Sequence, residues 1–222
     1  DGGRHGARLR GGFLGDARRG QGEVQDVVAV AVLHHVEGAD RAIEPARHIS
    51  AIGHSMGGLV ARAALRTDAG ARIEHLITLG APYGGSYAPV QALRGVYPLI
   101  RRLAQLDPVH SAEALARDVF ATFHSLYQML PRDAGLNLLD PRNWPSVGPQ
   151  PNATLLERAA MLELGGADAR IRAIAGYGYD TPLNIARVED DFYYRYGAAG
   201  DGTVPTARAT LAGAEAWYCR VA

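Results

Sequence analysis

The segment Ile49-Ser50-Ala51-Ile52-Gly53-His54-Ser55-Met56-Gly57-Gly58 constrains this chain more than any other. An apolar run ends at a glycine, a serine follows two positions later, and small and aliphatic residues continue to Leu65. The first part reads as a buried parallel strand and the second as a helix. A serine on so tight a strand-to-helix turn needs a strained backbone that lifts its Oγ clear of the sheet. Side chains at positions 53 and 57 would strike neighbouring backbone, which accounts for glycine at both. The N–H of Met56 then opens a helix, where the dipole favours an oxyanion. Ser55 is the candidate nucleophile and Met56 the candidate oxyanion donor.

Residues Ile73 to Leu79 (IEHLITL) form a second strand-like run. Strand, helix and strand joined by short links imply a parallel sheet covered by helices, an α/β fold. Of the 222 residues, 47% are hydrophobic and 21% charged, so disorder is excluded. Lys plus Arg balance Asp plus Glu at 23 each, which speaks against nucleic acid as a partner. Cys219 is the single cysteine, so neither an internal disulfide nor a cysteine-rich zinc site can form. No cofactor or metal is implied.

Residues 1–22, rich in Gly and Arg, read as a flexible leader. The opening DGGRHGARLRGG has no start Met and no apolar signal segment, which leaves the compartment open. Val24 to Val36 fits strand and helix spacing equally, and it is too short to span a bilayer. Residues 23–222 read as one domain, with an inserted helical cap at about 83–152. Inside it, Leu115, Val119, Phe123 and Tyr127 recur every four residues, predicting a helix from an N-cap at Ser111 to Leu130. Five prolines between Pro131 and Pro151 predict irregular cover. Asn152 caps a further helix through Leu164, closed by Gly165-Gly166. Ile171–Ala175 and Ala216–Val221 read as the remaining strands. His54 reads as packing support for the turn, His75 as a structural histidine, and His110 and His124 as cap residues. Tyr193, Tyr194 and Tyr196 beside Glu189, Asp190 and Asp191 read as a surface hairpin with solvated acids.

Two more blocks follow the serine: Leu79-Gly80-Ala81-Pro82-Tyr83-Gly84-Gly85-Ser86 and Gly200-Asp201-Gly202-Thr203-Val204-Pro205. The second lies between the Ile171 strand and the last strand, where the order Ser, Asp, His places the acid. That position favours Asp201 over Asp180.

With GHSMGGLVAR, these blocks resemble the α/β-hydrolase superfamily, and within it the lecithin–cholesterol acyltransferase-like group of acyltransferases and lipases. The resemblance runs from about Ile49 to the end of the chain. It implies an α/β-hydrolase-type, mostly parallel sheet with helices on both faces. It implies Ser55 as nucleophile, Asp201 as triad acid, Met56 N–H as one oxyanion donor, and Tyr83 and Gly84 at the acyl-chain entrance. The second oxyanion donor is not assigned. All eight histidines precede Asp201, so the triad base is expected beyond Ala222, and this chain alone is expected to turn over almost no ester.

The expected reaction is serine-dependent acyl transfer on lipid-type esters, to water or to another alcohol. A small lipid or ester is the expected partner, and contact of the cap with a membrane surface stays open. The alternative is a non-catalytic lipid- or ligand-binding protein on the same fold, which a histidine after the last strand would exclude.

Overall fold

The computed structural model describes residues 49–132, 135–163 and 165–221. The expectations for the leader and for the valine-rich run lie outside the described residues. Strand β1 (Ile49–His54) leads through Ser55 into helix α1 (Met56–Ala64), and a 3-10 turn returns the chain to β2 (Ile73–Leu79). Helices α2 (Ala88–Leu93), α3 (Pro98–Leu106), α4 (Ala112–Asp118), α5 (His124–Gln128) and α6 (Ala153–Met161) follow. Then come β3 (Ile171–Tyr177), the pair β4 (Thr181–Val188) and β5 (Asp191–Gly197), and β6 (Glu215–Arg220).

Four strands form one parallel sheet in the order β1-β2-β3-β6. The α/β architecture is the one expected. Its core forms where Ala51, Ala61, Leu65, Ile73, Leu76 and Ile171 meet, with α1 laid against β1. From Leu76 to Leu79 burial alternates, with Leu76 and Thr78 fully buried and Ile77 and Leu79 more exposed, as on a strand with one covered face, while Glu74 and His75 are both exposed at its start. His75 Nδ1 lies 3.0 Å from the Arg172 guanidinium on β3, within hydrogen-bond reach. Arg170 closes the start of β3 by donating to the carbonyls of Leu65, Gly70 and Ile73.

A larger core lies outside the sheet. Tyr87, Val90 and Leu93 of the α2 region pack with Tyr127, Leu130, Leu138, Trp144, Leu155 and Leu156. Ile185 and Phe192 of the β4–β5 hairpin join the same cluster, with Phe192 edge-on to Trp144 at 5.5 Å. Gln91 donates to the Tyr196 hydroxyl at 2.6 Å, and Arg94 reaches Asp191. Glu189, Asp190 and Asp191 are exposed at the hairpin tip, but the strands behind them belong to the helical core.

The expected helix from Ser111 to Leu130 is broken. Ser111 does cap α4, its Oγ accepting from Ala114 N–H. The helix stops at Val119, a 3-10 turn spans Phe120–Thr122, and α5 restarts at His124. The Thr122 hydroxyl bonds the Val119 carbonyl, competing with helix continuation at a point crowded by β-branched side chains. Tyr127 is buried, whereas Val119 and Phe123 stay 40% and 46% exposed, so the four-residue recurrence is not one core stripe. Asn152 caps α6 as expected, accepting from Leu155 N–H, and that helix ends at Met161.

Candidate active site

Ser55 stands between β1 and α1 with φ 51° and ψ −126°. Among the described residues only Ser55 and Glu189 combine a side chain with positive φ, and Glu189 is at a hairpin tip. The conformation costs of order 1–3 kcal/mol, so the surrounding structure must impose it. Ser55 N–H donates to Leu79 O on β2 at 2.9 Å, and Ser55 O accepts from Gly58 N–H at 3.0 Å. These bonds pin the turn from both sides. A Cβ on Gly53 would lie 2.6 Å from Gly58 Cα and 2.9 Å from Gly57 C, and one on Gly58 would meet Ala81 Cβ at 2.5 Å. The close approach of strand and helix thus requires glycine.

Gly53→Ala is accordingly expected to destabilise the fold by about 1–3 kcal/mol or more, since backbone and not a flexible side chain must yield. Gly166→Ala, where a Cβ meets nothing within 4 Å, is the control. Urea unfolding of both variants measures the difference.

Met56 opens α1, so its N–H belongs to the first turn, whose donors have no partner within the helix. His54 pairs with Leu79 in the parallel register and is exposed. Among the described residues no histidine is hydrogen-bonded to Ser55 or to Asp201. His110 is held by Asp107 at 2.8 Å, and His124 begins α5.

Asp201 follows the hairpin and bridges to Tyr179 just beyond β3. Its Oδ1 accepts from Thr203 N–H at 2.9 Å and Val204 N–H at 2.7 Å. Its Oδ2 projects over Gly80, where a Cβ would stand only 2.8 Å away, and its Cβ lies equally close to that of a side chain placed on Gly176. Gly80 follows β2 and Gly176 lies near the end of β3, while Ser55 follows β1 with its N–H bonded to Leu79 O. The structure therefore brings Ser55 and Asp201 to the carboxyl edge of adjacent parallel strands, where α/β folds place ligands.

The second sequence block packs against both α1 and the acid loop. Of this block, Pro82 and Ser86 are among the residues lining the cavity at Ser55, and Tyr83 and Gly84 are not. The Tyr83 ring turns behind α1, donates its hydroxyl to Thr78 Oγ1 at 2.9 Å and carries the Arg62 guanidinium 5.3 Å above it. Burial pushes the Tyr83 phenol up and the Arg62 guanidinium down from their ordinary values. Gly84 abuts Arg208, exchanging backbone and side-chain hydrogen bonds with it. Buried Ser86 donates to Thr203 O at 2.5 Å. Thr203 N–H is one of the donors on Asp201, so Ser86 braces the acid loop from a position 117 residues earlier in the chain. Ser86 was visible in the LGAPYGGS block, but nothing in a bare turn sequence reveals its partner.

Above Ser55 opens a cavity of about 210 Å³. Pro82, Ala88, Ala92, Ile100, Phe120 and Phe123 are among the residues that line it, and the lining is almost wholly apolar. Ser55, Ser86, Tyr97 and Thr203 are the hydroxyl-bearing residues in its lining. Most of this lining comes from the cap, where the sequence pattern suggested only packing. Among the described residues, no group of three or more His, Cys, Asp or Glu converges as a metal site, and no helix is long and apolar enough to cross a membrane.

Residues 25–121 match the family model of the PGAP1-like alpha/beta domain. This is an α/β-hydrolase-type domain, and the match carries the strand, the elbow serine, α1, β2 and the first cap helices. It supports the superfamily read from the motifs, and it does not extend to the lecithin–cholesterol acyltransferase-like group. Asp201 lies outside the matched residues. No curated protein matches the chain in sequence.

Proposed function

We propose that the chain carries the nucleophile and the acid of a serine acyl-transfer enzyme acting on lipid-type esters. The observation that carries this reading is the left-handed backbone of Ser55 at a strand–helix junction opening onto an apolar cavity. A non-glycine residue is held in that conformation only where something is gained, and here the gain is an Oγ presented to the cavity.

In this reading the ester's acyl chain enters the cavity and its carbonyl stops at Ser55. Oγ attacks the carbonyl carbon, a histidine takes the hydroxyl proton, and Met56 N–H receives the developing oxyanion. Collapse expels the alcohol, protonated by the same histidine, and leaves an acyl-serine. Water or a second alcohol then releases the acyl group. Asp201 orients the histidine through Oδ2, because Oδ1 is already engaged by two backbone donors. His75, bonded to Arg172 on the strand β3, and His110, held by Asp107, are engaged elsewhere. At about 210 Å³ the cavity is smaller than the roughly 300–1,000 Å³ pockets that enclose whole drug-sized ligands, so it suits one acyl arm and not an entire lipid.

The test, run on a form of the protein that supplies the triad histidine, is a series of p-nitrophenyl esters from acetate to dodecanoate. Each added methylene that enters the cavity is expected to raise kcat/KM about threefold to fourfold until the cavity is full. Ala92→Leu, which narrows one wall, is expected to lower the rate for longer acyl chains while sparing acetate. Binding of the longer esters without turnover would instead favour a non-catalytic lipid-binding protein.

A further inference from the structure

Helix α3 is anchored by a single buried residue, Ile100. Its other large apolar side chains face outward: Leu99, Leu103 and Leu106 are 55%, 41% and 83% exposed, and Val109 just beyond is 78% exposed. Positions 99, 103 and 106 are four and three residues apart, so they form one stripe along the helix. The remaining exposed positions on α3 are Pro98, Arg101, Arg102 and Gln105, and α3 contains no acidic residue. An exposed apolar stripe of this kind marks an interaction surface. Leu99 also lines the Ser55 cavity, as does Phe123, itself 46% exposed, so the stripe runs into the cavity mouth.

We infer that α3 docks the protein on an anionic lipid surface, with Leu103, Leu106 and Val109 in the acyl boundary and Arg102, which flanks the stripe, at the headgroups. A short helix with a strong apolar face, low net hydrophobicity and only cationic charge is suited to lie in the plane of a membrane interface. Arginine stems extend along the apolar surface while their guanidinium groups remain at the phosphates. A protein partner on this stripe would close the mouth of the cavity, whereas a lipid surface would deliver an acyl chain to it. The choice of lipid rests on the proposed reading of that cavity, but docking itself needs no chemistry at Ser55.

Sedimentation of the full chain with vesicles tests the inference without any turnover. Binding is expected to vesicles of phosphatidylcholine and to be tighter when phosphatidylserine is included. The double substitution Leu103→Glu and Leu106→Glu is expected to weaken binding at least tenfold, with an unchanged thermal midpoint because both positions are exposed. Arg102→Gln should remove about fivefold of the phosphatidylserine preference at low salt and leave phosphatidylcholine binding in place, whereas Arg101→Gln, on the far side of the helix, should change it by less than about twofold. A Leu106→Trp variant should shift its emission to the blue on vesicle addition. Vesicle binding that survives the double glutamate substitution would overturn the inference. So would a parent chain that ignores vesicles and self-associates through the stripe, seen as a dimer that the glutamates dissociate. Loss of Ser55 reactivity with vesicle binding intact would remove the enzymatic reading and leave this one standing.

Discussion

Ser55→Ala is expected to abolish labelling by a serine-directed fluorophosphonate and, in a form of the protein that supplies the triad histidine, to lower ester turnover by on the order of 10⁴ to 10⁶. The size of the effect follows from the unit that Ser55 starts: without Oγ no acyl-enzyme forms, and only the oxyanion site and substrate binding remain. Stability should move little, within about 0.5 kcal/mol, because alanine inherits the same backbone conformation at a half-buried position. Ser55→Gly makes the argument sharper. Glycine populates positive φ without a Cβ penalty, so this variant should be more stable than the parent by about 1 kcal/mol and equally unreactive. A gain in stability with a loss of labelling is what strain held for chemistry predicts. Full labelling of Ser55→Ala would move the nucleophile elsewhere, and a Ser55→Gly variant less stable than the parent would show that the conformation carries no strain.

The parts of this fold that were legible in the sequence are those fixed by short-range chemistry. The apolar run to Gly53, the glycines around Ser55 and the alternation in IEHLITL each act over a few residues, and β1, α1 and β2 follow them closely. The caps at Ser111 and Asn152 reach three residues ahead and were equally readable. What was not readable depends on partners far along the chain. Leu115, Val119, Phe123 and Tyr127 have helical spacing, yet only Tyr127 finds the core, and the break between α4 and α5 turns Phe123 toward the cavity. The hairpin residues Ile185 and Phe192 join a core nucleated by α2, α5 and α6, nearly a hundred positions from the first of them. Tyr83 shows a subtler limit. A motif carries the identity of a side chain and not its direction, and the turn after Pro82 sends this ring to Thr78 and Arg62 while Ser86, two residues past Gly84, bonds Thr203 and joins the cavity lining.

Asp201→Asn should separate charge from geometry at the second member of the site. The substitution is close to isosteric, and an amide oxygen at Oδ1 can keep the hydrogen bonds from Thr203 N–H and Val204 N–H, so the GDGTVP turn should hold its shape. Ser86, the Thr203 carbonyl and the Arg208–Gly84 contacts brace the same loop from the other side. The loss therefore falls on Oδ2, which becomes an N–H₂ donor above Gly80 and can no longer accept from an imidazole. In a form of the protein that supplies the triad histidine, an imidazole deprived of that acceptor settles in the wrong tautomer, and turnover should drop by up to about 10⁴-fold with little change in KM. Asp180 is the natural comparison, since it is also acidic and follows the same strand β3. It is exposed in the turn before β4, and Asp180→Asn is expected to leave turnover within about twofold of the parent. Steady-state kinetics on both variants, with circular dichroism to verify the fold, decides between them. If Asp180→Asn is the crippled variant and Asp201→Asn is not, the bracing of Asp201 by Ser86 and Thr203 serves the loop alone, and the acid must be reassigned to the turn after β3.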